Sequence, residues 1–589
     1  MKYANESNVL ILVSLLKQHG IKRVIASPGT TNLSFVASLQ CDSFFEIYSC
    51  VDERSAAYMA CGLSAETGEP VVITCTGATA SRNYVSALTE AYYRKLPILV
   101  VTGTQNPELI GNLSSQLIDR SQAQKDILKS SYSLTSFNES DKNAEFFCVL
   151  KANKAISDLT RHGGGPVHIN LQTCYTRDFS IDTLPKVKTI RRISYENVEE
   201  APEMPVGRIG IFVGSHNTFS KELTAAIDSF CSSHDAVVFC DHTSGYYGRY
   251  KVNFSLATVQ VQSRTSLAEL DLCIHIGEIS AEYGMLGNLA KKTVWRVSPD
   301  GEMRDQFRTM SYVFEMSEVD FFNFYRKEKP EENHAYFDAC QSYNKSLYER
   351  IPELPFSNVW IASQLAHRIP EGASIHFGIL NSIRSWNLFQ LPKTVTSFSN
   401  VGGFGIDGCV SSMIGASFAN PNKLYFGVVG DLSFFYDMNS LGNRHIGNNV
   451  RLLIVNNGKG TEFRNFYHTG SLFGEEADKY IAAGGHFGNK SHNLVKNYCE
   501  DLGYEYLSAN NFDEFRRVCD RFVNPMLTDR PMVLEVFTTN ENESDAISKM
   551  WNIERSANGV IGDLKSSIIK RSKKILGRKG IAIIKILKS

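Results

Sequence analysis

Two apolar, β-branched runs in this chain, Leu424–Val429 and Val450–Val455, each stop at polar residues. The first stops at Gly430-Asp431-Leu432-Ser433 and the second at Asn456-Asn457-Gly458. A carboxylate oxygen, an amide oxygen and a nearby backbone carbonyl form a hard oxygen set suited to Mg²⁺ or Ca²⁺. So few protein ligands leave coordination positions to water and phosphate oxygens, so the pattern predicts a site for a metal–diphosphate group. Asn457 follows Asp431 by 26 residues, enough for one strand–helix–strand crossover that brings both side chains out of neighbouring strand ends. In doubly wound sheets, that is where ligands bind.

The elements that must position these residues read as α/β throughout. The first 180 residues alternate buried strands (RVIAS, VVITCT, PILVVTG, PVHINL) with helices over Asn8–His19 and Arg54–Thr67. Continuous apolar runs of this kind predict parallel sheets covered on both faces. A polar stretch, Asp178 to Pro205, reads as a linker. RIGIFVGS, AVVFCD, LCIHIGE and VWRVSP repeat the pattern to about Tyr325, and a third unit follows the charged segment RKEKPEENHAYF. Three consecutive doubly wound parallel-sheet domains are therefore expected, at 1–180, 181–345 and 346–550, with a basic tail over 551–589.

Composition excludes several classes. The 589 residues are 43% hydrophobic and 21% charged, with a net charge of −1, which gives no electrostatic reason to expect nucleic acid. Thirteen cysteines without CxxC spacing read as reduced thiols of a cytoplasmic protein. The N-terminal apolar residues have helical spacing rather than that of a secretory signal, and no run reaches the length of a membrane span. Lys565–Ser589 is basic and amphipathic, without an acid. Its bland reading is a tail helix docked on the body or a disordered end; contact with an anionic inner membrane surface is the alternative.

The pair GDLS…NNGKG resembles the diphosphate-anchoring motif of thiamine diphosphate (ThDP) enzymes, at the short end of their spacing. The resemblance implies Asp431, Asn457 and the Lys459 carbonyl as Mg²⁺ ligands, with Gly430, Leu432 and Ser433 around the diphosphate. It implies Glu53, in VDERSAAYMA, as the acid that hydrogen-bonds N1′ of the coenzyme's aminopyrimidine and so activates it. Gly77 and Asn83 of TGATASRN would stand beside that ring. Ile406, with Gly405 in SNVGGFGIDG, would wedge the two rings into the bent form. In this reading the three units are the pyrimidine-binding (PYR), central and diphosphate-binding (PP) domains. Family precedent then puts the active site across a subunit interface, in a homodimer or homotetramer.

Together with SQLAHRI and TQNPELIG, these motifs resemble the menaquinone-pathway branch that joins decarboxylated 2-oxoglutarate to isochorismate, the SEPHCHC synthases. The resemblance implies decarboxylation of a 2-oxo acid and carboligation to a carbonyl acceptor. Gln116 matches a family glutamine near the reacting centre, and Arg384 a family arginine for the donor's distal carboxylate. Three family arginines fall instead at Thr31, Gln105 and Val401. Thr30, Thr31 and Gln105 are thus expected at a changed substrate pocket, and an acceptor less acidic than isochorismate, for instance a sugar carbonyl. His468 and His486 are candidate proton donors. A simple decarboxylase or acetolactate-synthase-like enzyme is the nearest alternative, although GIFVGSHN lacks the spacing for a flavin pyrophosphate. A non-catalytic ThDP-binding scaffold is the alternative of another class.

Overall fold

A computed structural model describes residues 2–261, 264–328, 334–487 and 490–554. The basic tail Lys565–Ser589 lies outside them. The described chain gathers into two compact units: Met1–Pro202 with Trp295–Met316, and Glu203–Val294 with the segment that begins at Ser317.

The described residues form three sheets. The first holds β1 (Arg23–Ala26), β2 (Glu46–Ser49), β3 (Val71–Cys75), β4 (Ile98–Thr104), β5 (Ser130–Leu134) and β6 (Val167–Gln172), ordered β2-β1-β3-β4-β6-β5. All its pairings are parallel. β3 and β4 are buried at every position, as unbroken runs such as VVITC and ILVVTGT require when helices cover both faces.

The middle strands are β7 (Arg191–Ser194), β8 (Ile209–Val213), β9 (Val237–Cys240), β10 (Lys251–Val252), β11 (Glu269–Ile276), β12 (Ala290–Val297) and β13 (Met310–Glu315). Their order is β10-β9-β8-β11-β12-β13-β7. Here the expected linker, Asp178 to Pro205, needs correction. It contains β7, paired in parallel with β13, and Ile181 bridges to Tyr3. The mostly polar RRIS of this edge strand hides among polar neighbours.

The third sheet comprises β14 (Ser374–Phe377), β15 (Thr396–Ser399), β16 (Tyr425–Gly430), β17 (Val450–Asn456), β18 (Glu505–Ala509) and β19 (Met532–Phe537). They run parallel in the order β15-β14-β16-β17-β19-β18. β16 and β17 are neighbours, with Gly430 opposite Val455. The two polar strand ends therefore lie side by side, as the spacing predicted. All thirteen cysteines are unpaired and only Cys174 is exposed. Among the described residues no helix is long and apolar enough to cross a membrane.

Candidate active site

At the third sheet, β16 ends at Gly430 and passes directly into the helix Asp431–Asp437, so Asp431 sits just past the strand end as the first residue of a helix. Its side chain is buried. Burial pushes the Asp431 carboxyl up to about 7, against the opposing pull of the N–H groups it accepts from Leu432, Gly458 and Asn457. Gly458 lies in the left-handed region, φ 75°, in the turn whose Asn457 and Gly458 N–H groups face Asp431. Asn456 holds the turn: its Oδ1 accepts the Gly458 N–H at 3.2 Å and its Nδ2 donates to Glu535 at 2.7 Å.

Asn457 donates through Nδ2 to the Thr461 hydroxyl at 3.4 Å, and its Oδ1 is buried without a partner. A buried carboxylate and an orphaned amide oxygen at neighbouring strand ends offer hard oxygen donors, and buried polar atoms normally have partners. The set therefore fits a hard divalent metal. The Lys459 carbonyl accepts the Thr461 N–H at 2.9 Å and keeps its second lone pair, while the Lys459 ammonium pairs with Asp478 at 2.6 Å. Around this site Gly402, Gly403 and Gly430 face open space where a Cβ would meet nothing within 4 Å, leaving room for a ligand against backbone. Ser433 donates to the Ile406 carbonyl at 2.8 Å, which ties the Ile406 loop to the Asp431 helix. The Gly405 carbonyl accepts from Cys409 within the same loop.

At the first sheet, Asp52 caps the helix Glu53–Thr67 by accepting from the N–H groups of Arg54 and Ser55. That leaves the half-buried Glu53 free to point elsewhere, and its Oε2 accepts from Asn83 Nδ2 at 3.2 Å. A Cβ at Gly77 would stand 3.0 Å from the Gln116 carbonyl oxygen, so these two residues share one loop cluster. Gln116 itself is exposed, with φ 61°. Thr31 is buried and fastens the cluster: its hydroxyl lies 2.7 Å from that of Thr76 and accepts the Gly77 N–H at 3.1 Å. Thr30 beside it is exposed, and Gln105 hydrogen-bonds the Tyr175 hydroxyl.

The remaining substrate candidates separate. Arg384, on the helix Asn381–Asn387, ion-pairs with Glu462 and lies 5.3 Å from the Tyr283 ring centroid. His468 caps a 3₁₀ segment, its Nδ1 accepting the Gly470 N–H at 2.9 Å, while His486 is exposed. Thr461, Glu462 and Tyr467 had not been singled out in the sequence; the run GTEF directly after Asn-Asn-Gly-Lys was the available signal.

Parallel-sheet α/β modules with these strand ends define a class, and comparison with known proteins names it. The family model described as thiamine pyrophosphate enzyme, N-terminal TPP binding domain, matches residues 9–127. The chain is a ThDP-dependent enzyme. It is 30% identical to the 2-succinyl-5-enolpyruvyl-6-hydroxy-3-cyclohexene-1-carboxylate synthase of Bacteroides thetaiotaomicron, over 93% of this chain and 98% of that one. The synthase of the same name from Phocaeicola vulgatus is 29% identical over 93% and 99%. A solved structure, the Rhodococcus jostii RHA1 thiamine diphosphate-dependent 4-hydroxybenzoylformate decarboxylase, aligns over 90% of this chain and 99% of its own at 16% identity and a TM-score of 0.39. The chain belongs to the SEPHCHC synthase family of ThDP enzymes.

Proposed function

We propose that this protein decarboxylates a 2-oxo acid and joins the remaining acyl unit to a carbonyl acceptor, using ThDP and Mg²⁺. The observation that carries the reading is the buried Asp431 carboxyl next to the unpartnered Asn457 Oδ1. Asp431, Asn457 and the Lys459 carbonyl would hold the metal, and Gly430, Leu432 and Ser433 the diphosphate. Held there, ThDP would supply the carbon nucleophile and electron sink that decarboxylation of a 2-oxo acid requires.

The chain's own part is binding, orientation and proton control. Glu53 holds or accepts a proton at the coenzyme's N1′, with Asn83 orienting its carboxyl. Ile406, its carbonyl tied to Ser433, would hold the two rings of the coenzyme bent, and Gly405 would let backbone approach. Gly77 would line the ring's place, and Gln116, whose carbonyl lies against Gly77, would line that of the reacting carbon. Thr30 and Gln105 meet the substrate, Thr31 keeps their loops in register, and His468 and His486 are the third-unit proton-donor candidates. We place the enzyme in the cytoplasm as a homodimer or homotetramer with the site completed between subunits, and assign membrane-surface contact to Lys565–Ser589. The 1–180, 181–345 and 346–550 division is retained for the three domains.

A CO₂-release screen over 2-oxo acids, with and without carbonyl acceptors, tests the reading. Release coupled to a joined product supports it. Release with aldehyde as the sole product in every pairing makes the protein a simple decarboxylase. No release from any acid leaves a ThDP-binding scaffold.

A further inference from the structure

A cavity of about 480 Å³ lies beside the Asn457 turn and includes Arg384, Glu462, Tyr283, Tyr467 and Trp551 in its wall. That size suits a small-molecule pocket. Two links join it to the candidate coenzyme site. The Thr461 hydroxyl contacts both Asn457, at 3.4 Å, and Asn381, at 2.9 Å, one helical turn before Arg384. On the other side the Phe404 ring of the Ile406 loop packs against Tyr283 at 6.0 Å.

The charge inside the cavity is already balanced. Arg384 is paired with Glu462, and the Tyr467 hydroxyl donates to the same carboxylate at 3.0 Å. Tyr467 in turn stacks on Trp551, centroids 4.8 Å apart. Glu462 is only 8% exposed. A ligand carboxylate reaching Arg384 would displace Glu462 and strand it as a buried, unpaired charge, which interiors disfavour strongly. Glu282, also buried in the wall, offers no cation; burial and the nearby Asp241 push its carboxyl up to about 7. Arg264 stands at the exposed rim, where its charge is hydrated. The surfaces left for a ligand carry no free cation inside the cavity: they include Val259, Leu388, Ile547 and the aromatic faces, with the buried, unpartnered Ser385 hydroxyl as an uncharged polar group.

We infer that Glu462 is a specificity determinant that neutralises Arg384, so that the donor is a 2-oxo acid with an uncharged tail and no second carboxylate. This rests on the proposed decarboxylation and narrows its substrate class. A bare cation at Arg384 would select a dicarboxylic donor; the ion pair rejects one.

Two measurements test it separately from that reading. In CO₂ release, the wild type should prefer 2-oxobutanoate to 2-oxoglutarate by about tenfold or more in kcat/KM, and Glu462→Gln should move that ratio toward 2-oxoglutarate by a similar factor. In calorimetric titration with succinate, which needs no turnover, the wild type should bind none, Glu462→Gln should bind it, and Glu462→Gln with Arg384→Met should lose it again. A wild type that prefers 2-oxoglutarate, or that binds succinate as tightly as Glu462→Gln, overturns the inference while the proposed function stands. If neither acid is turned over, the succinate titration alone decides. If Glu462→Gln does not fold, the wild-type preference decides.

Discussion

The two acidic residues proposed to grip the coenzyme sit in opposite surroundings. Asp431 is buried at a strand end, receives N–H groups from two loops, and has an orphaned amide oxygen for a neighbour. Glu53 is half-buried at a helix start, and Asn83 is its hydrogen-bond partner. A metal anchor must be preorganised, because the cost of burying a carboxylate is met in folding and relieved by the cation. A proton-sharing acid works best in a dry setting, and within one chain Glu53 does not have one. The proposed metal anchor is thus preorganised by burial within one chain, whereas the proposed activating acid is half-open to solvent.

Substitutions can break this contrast, the strongest first. Glu53→Gln should keep ThDP bound by calorimetry yet lower CO₂ release by about 10²- to 10⁴-fold, the range for a lost general acid–base. Weakened coenzyme binding instead would make Glu53 an anchor too. Asp431→Asn should do the reverse, lowering Mg²⁺ and ThDP affinity by at least the roughly 10- to 100-fold seen when metal-site partners are lost. Restoration of turnover by saturating coenzyme would be expected. Ile406→Ala should leave affinity intact and cost about tenfold in kcat through misplaced rings.

The smallest effect separates a metal-binding carboxyl from a merely buried one. Burial also pushes Glu543 up to about 7, but its Oε1 is occupied by the Asn358 N–H and the Thr538 hydroxyl. Between its ordinary value of 4.5 and about 7, the folded chain keeps a proton that the unfolded chain has released. Wild-type stability should therefore fall as pH rises through that window, by about 3 kcal/mol at most from this group. Glu543→Gln should raise Tm relative to wild type more at pH 8 than at pH 5, with no change in that gap when Mg²⁺ and ThDP are added.

Inner strands were legible because burial on both faces leaves unbroken apolar runs; β3, β4, β16 and β17 are of this kind. Edge strands were not. β5, β7 and β15 end their sheets, and SSYSL, RRIS and TSFS carry polar residues outward. The Asp431 and Asn457 positions were readable from strand ends alone. The Arg384–Glu462 pair was not, because it depends on how the turn after Asn457 folds back onto a helix 78 positions earlier.

Gly103 closes the first sheet's β4 against the loop that carries Thr30. A Cβ there would fall 2.3 Å from the Thr31 carbonyl oxygen, and one at Gly29 would fall 2.4 Å from Thr76. Such a seam tolerates no methyl group on either side. Anyone seeking to retrain this enzyme toward new acceptors by random libraries should hold both glycines constant and vary positions 30 and 105, since diversity at the seam would be spent on chains that never assemble.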